Sequence, residues 1–164
     1  MLTLLLTAAL LAQKVTVEFD HEANFAQYKT YAIREGRLNS KHPALNSELT
    51  KKNIEHELKQ RLSQHGLSPV PAGEAADLNV FYHLGQARKT ETEAYAVGWR
   101  GRGTRYVRVP YAEGTLVIDL RDPKLKALVW RGIASVEERD AAKIEGKLDD
   151  MVKKALDKYP PKKK

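Results

Sequence analysis

The chain has 164 residues, no cysteine and a formal charge of +7, from 28 Lys and Arg against 21 Asp and Glu. This length fits one domain with a core of its own, and the missing cysteine excludes thiol nucleophiles, thiolate metal sites and disulfides. The basic excess favours anionic partners, lipid head groups, acidic polysaccharide or nucleic acid, and the export expected below puts the first two ahead of the third.

The opening run from Leu2 to Ala12 carries no charge. It is far shorter than the roughly 20 apolar residues of a membrane span and fits the apolar part of a secretory signal, about 7–15 residues ending in small ones. Residues 1–12 are therefore expected to be a signal peptide, with the domain at 13–158 and a basic disordered tail at 159–164. A bacterial lipoprotein signal ends in a cysteine that takes the lipid. Here Leu10, Leu11 and Ala12 are followed by Gln13, so the expected product is exported, periplasmic or extracellular, and not lipid-anchored.

The segment KVTVEFD alternates, with Val15, Val17 and Phe19 on one face, and predicts a strand. YKTYAI, residues 28–33, is aromatic and β-branched and predicts a second. Gly36, Asn39, Ser40 and Pro43 then mark residues 34–45 as a loop. Asn46 or Ser47 is placed to cap a helix whose apolar stripe is Ile54, Leu58 and Leu62, and Gly66 ends it. LSPVPAGEAAD reads as a short strand or loop.

From Asp77 the period changes to two. Leu78, Val80, Tyr82 and Leu84 share one face, and Asn79, Phe81 and His83 the other. A polar strand or loop continues through QARKTETEAYAVGW, and RGRGTR reads as a hairpin tip. EGTLVIDL predicts a strand with Leu116, Ile118 and Leu120 inward. Asp122-Pro123 occupies a turn, and ALVWRGIASVEE returns as the antiparallel partner, with Trp130 toward the helices. Residues 141–158 place Ile144, Leu148, Met151, Val152 and Ala155 at helical spacing, which predicts one amphipathic helix. The order β-β-α-β-β-β-β-α, with short turns between successive strands, predicts an α+β two-layer sandwich. Its sheet is mainly antiparallel and its two amphipathic helices lie on one face.

The reactive side chains do not assemble by spacing. His56 and His65 are half a turn out of phase on a helix of 3.6 residues per turn, and His21, His42 and His83 stand alone, so no metal site and no cofactor is expected. Glu113 and Asp119 are separated by about 20 Å of strand, too far for the acid and base of a glycoside hydrolase. Asp122 is better explained by the turn. No Ser sits in a Gly-x-Ser-x-Gly elbow. No catalytic residue is assigned.

The basic stretch from Leu84 to Pro110 is the candidate site. It holds Arg88, Lys89, Arg100, Arg102, Arg105 and Arg108 against Glu91 and Glu93, a net +4 of the total +7. Arginine offers a two-pronged donor to phosphate or sulfate, and interleaved aromatics stack on sugars or sit at a membrane interface. The expected contact residues for an anion or glycan are Arg100, Arg102, Arg105, Arg108 and Trp99. The opposing reading is an edge hairpin whose charges block edge-to-edge pairing.

Four stretches together resemble one family: FAQYKTYAI; ELKQRLSQHGL with AADLNVFYHLG; EGTLVIDLRDPKLKALVWRGIA; and the closing helix. The resemblance is to the bacterial envelope family labelled domain of unknown function 4136. It implies an exported protein, often a lipoprotein, with no established activity and no catalytic residue to carry over. The expected function is a non-enzymatic binding or assembly module of the cell envelope. Its expected partners are anionic lipid head groups, acidic glycan or an envelope protein. The alternative is an unrecognised envelope hydrolase, which a Ser or Asp within reach of His83 would favour.

Overall fold

The computed structural model describes residues 13–71, 73–97 and 103–162. The predicted signal peptide, together with Trp99, Arg100 and Arg102, lies outside the described residues. Six strands form one sheet in the order β1-β6-β5-β4-β2-β3: β1 (Lys14–Phe19), β2 (Thr30–Asn39), β3 (Ser68–Pro69), β4 (Leu78–Val97), β5 (Gly103–Asp122) and β6 (Ala127–Glu138). β4, β5 and β6 are an antiparallel meander, and β1 pairs antiparallel with β6. β2 runs parallel to both β3 and β4, because α1 (Glu48–Gln64) carries the chain back before the next strand begins. The sheet is thus mixed but mainly antiparallel, within an α+β fold.

The period-two residues of β4 and β5 supply the floor of the core. Leu78, Val80, Leu84, Leu116, Ile118 and Leu120 are fully buried on one face. Helix α1 covers that face with Ile54, Leu58 and Leu62, also fully buried. Ser47 caps it by accepting from the Thr50 amide, and Gly66, at φ +80°, turns the chain out of it. Helix α3 (Leu148–Leu156) lies beside α1 and packs on β6, β5 and β1. Trp130 is buried beneath it with the Tyr159 ring 5.8 Å away, edge-on. Among the described residues the helices occupy one face of the sheet and leave the other without a helical layer.

Three sequence expectations are corrected. Residues 34–45 are not all loop, since β2 continues to Asn39 along β4. Gly36 serves there as a close-packing position rather than a turn: the Tyr82 ring crosses it, and a Cβ would lie 1.9 Å from the ring carbon Cζ. The closing helix is two pieces, α2 (Ala142–Glu145) and α3, with Gly146 and Lys147 between them, consistent with the poor helix propensity of glycine. The break lets Ile144 settle over Gly114 while α3 packs on its own line. Tyr159, assigned to the tail, is buried against Phe25, Trp130 and His65.

Candidate functional site: a projecting basic hairpin

β2 leaves β4 after Asn39 meets Gly85, and β6 leaves β5 where Ala112 meets Glu138. Beyond those points, among the described residues, β4 and β5 pair only with each other. Their pairing continues for nine further positions, from Lys89 opposite Tyr111 to Val97 opposite Gly103. At about 3.4 Å per residue this ribbon reaches roughly 30 Å past the sheet. Residues 89–97 and 103–111 therefore form an arm.

The arm's composition fits an edge. Thr90, Thr92 and Thr104 are β-branched and exposed. Pro110, opposite Thr90, cannot donate to a ladder, and proline in strands belongs at edges. Arg88, Lys89 and Arg108 are exposed, and Tyr106 presents 71% of its surface to solvent. At the base Lys89 pairs with Glu113, whose hydrogen bond holds the lysine above its ordinary pKa. Arg108 stands opposite Thr92, and the Arg105 backbone opposite Tyr95. Of the predicted contact residues, Arg105 and Arg108 thus lie on the β5 strand of the arm. The signal that sequence reasoning missed is the length of the pairing: QARKTETEAYAV looked too polar to choose between strand and loop.

The hydrolase alternative turned on His83. His83 and Asp119 line one groove on the face without helices. Asp119 is already engaged: Arg131 donates to both its oxygens, from Nε at 2.6 Å and from the second nitrogen at 2.7 Å. Those bonds hold the Arg131 guanidinium above its ordinary pKa. No hydrogen bond joins His83 to a Ser or Asp among the described residues. Asp122 accepts from the amides of Lys124 and Leu125, as the turn reading expects, and also from the Tyr28 hydroxyl at 3.0 Å. Among the described residues no three His, Asp or Glu side chains are grouped to hold a metal, and no helix is long and apolar enough to cross a membrane.

The family model described as a domain of unknown function, DUF4136, matches residues 15–161. The chain belongs to the DUF4136 family. Among solved structures, this DUF4136 domain aligns with a PDZ domain protein from Parabacteroides distasonis at 17% identity and TM-score 0.59. That match covers 93% of this chain and 36% of the other, so the chain spans about a third of that protein's length. A DUF4136 family protein from Bacteroides thetaiotaomicron aligns at 15% identity and TM-score 0.57, over 90% of this chain and 96% of that one. A protein from Helicobacter pylori, described as a candidate neuraminyllactose-binding hemagglutinin homolog, aligns at 14% identity and TM-score 0.55, over 88% and 92%. At these identities the likeness is one of fold. No curated protein matches the DUF4136 chain in sequence.

Proposed function

We propose that this DUF4136 domain is an exported, non-enzymatic binding module of the cell envelope whose arm contacts an anionic surface, either lipid head groups or acidic glycan. The observation that carries this reading is the arm itself. A two-stranded ribbon is marginal in water without a third strand or a packing layer, yet nine positions of β4 and β5 extend past the sheet with exposed Arg108 and Tyr106 on them. A contact that uses the arm's charge gives the extension a role. The engaged state of Asp119 supports binding over hydrolysis. The description of the Helicobacter pylori relative adds support for glycan as the ligand class.

The test is sedimentation with phosphatidylglycerol vesicles, with neutral phosphatidylcholine vesicles, and with an acidic polysaccharide. The chain from Gln13 onward should bind the acidic surfaces at low salt and release as salt rises, because exposed charges are screened within about 8 Å at physiological ionic strength. Basic residues near an anionic membrane contribute about 1 kcal/mol each. Replacing Arg100, Arg102, Arg105 and Arg108 with Gln should therefore weaken binding by roughly two to three orders of magnitude. Melting should hardly move, since exposed charges contribute little to stability. Equal binding by both proteins would reject the reading.

A further inference from the structure

The face without helices carries a second feature, separate from the arm. Register lines up Glu35, Phe81, Asp119, Arg131 and Glu18 as one row across five strands. The next row brings Arg37 beside His83, and His83 beside Val117. Between these rows lies an open pocket of about 320 Å³, floored by Phe81 and Val117 and rimmed by Glu35, Arg37, Asp119 and Arg121. That volume is at the small end of the roughly 300–1,000 Å³ typical of small-molecule sites.

The charges around it are unevenly satisfied. Glu35 receives the Nε hydrogen bond of Arg37 at 2.7 Å. Asp119, only 8% exposed, is taken on both oxygens by Arg131. Arg121 is held more loosely, in an ion pair with Asp119 that has no hydrogen bond. It comes no closer to Asp119 than 3.6 Å, beyond hydrogen-bonding reach, while its guanidinium lies 5.7 Å from the centre of the Phe81 ring. An arginine held over an aromatic face, half exposed, loosely paired with Asp119 and without a hydrogen bond among the described residues, has donors to offer a carboxylate. Phe81 and Val117 beside it suit the flat side of a ring.

We infer that the pocket formed by Phe81, Val117, Asp119 and Arg121 binds a small ring-bearing carboxylate, with Arg121 receiving the carboxylate and Phe81 and Val117 the ring. Asp119 sets the affinity from behind, since its charge is shared between Arg131 and Arg121 and opposes an incoming anion. The inference does not depend on the arm.

The experiment is nuclear magnetic resonance titration of the chain from Gln13 onward with sodium glucuronate, sodium benzoate and, as the uncharged control, glucose. Saturable shifts at the amides of Phe81, Val117 and Arg121 with glucuronate assign an acidic sugar, and with benzoate an aromatic acid; either supports the pocket. Arg121→Gln should weaken that binding at least tenfold with melting unchanged. Asp119→Asn should tighten it severalfold, an opposite sign that loss of folding would not produce. The variant with four Gln in the arm should bind like wild type, which separates this site from the arm. No saturable shift at millimolar ligand, equal binding of glucose, or indifference to Arg121→Gln would overturn the inference.

Discussion

Tyr82 shows how much one residue pair contributes here. Its ring lies across Gly36 so that its hydroxyl can donate to Glu55 on α1, 2.9 Å away. Burial and the Glu55 carboxylate both push the phenol well above its ordinary pKa. Gly36→Ala puts a methyl into the ring, and overpacking of this kind costs about 1–3 kcal/mol. In a Tyr82→Ala background the same change should cost much less, because the obstructing ring is gone. Denaturant unfolding of the four proteins of this cycle checks it; additive losses would show that Gly36 does not serve the ring. In sequence Gly36 is a turn signal, and that reading misplaces the end of β2. A glycine needed for the side chain directly opposite it on the neighbouring strand, yet more than forty residues away in sequence, leaves no local trace. Asp119 is a similar case. Its residue type and position on a strand are visible in the sequence, but its partner Arg131 depends on hairpin register, which shifts at a bulge between Leu120 and Arg121.

At the scale of elements, strong periodicity was legible and weak periodicity was not. The stripe Ile54, Leu58, Leu62 and the strand residues Leu116, Ile118 and Leu120 are all fully buried, because a helix brings every fourth residue, and a strand every second, to one face. The closing helix kept its apolar positions but divided at Gly146, since a four-residue offset continues smoothly on paper across a break in the backbone. The docking of α3 is testable on its own. Leu148, 1% exposed, faces the core, and Leu148→Asp places an unpaired charge there at a cost of several kcal/mol. Circular dichroism should show loss of cooperative melting. A folded variant that melts as wild type does would mean that α3 is not part of the core. The parallel placement of β2 beside β4 was hidden for a different reason: short turns speak for antiparallel neighbours, while the crossover through α1 decides the pairing of strands that are not consecutive.

Across the whole molecule, the helices and the buried sheet face account for stability, and the arm and the open face are left for contact. The arm's location was legible as a concentration of arginines, whereas its extent was not, since polar alternation alone does not separate a ribbon from a loop. Our central claim is that the arm contacts an anionic surface. Hydrogen exchange on the chain from Gln13 onward, alone and with phosphatidylglycerol vesicles or an acidic polysaccharide, tests this most directly. Alone, the amides of residues 89–97 and 103–111 should exchange quickly, as expected of a ribbon without a third strand, while the β5–β6 pairs Leu116 with Ala134 and Ile118 with Gly132 stay protected. An acidic surface should slow exchange in the arm and leave the β5–β6 pairs unchanged, and neutral vesicles should do neither. An arm that exchanges at the same rate with and without both acidic surfaces would contradict the account.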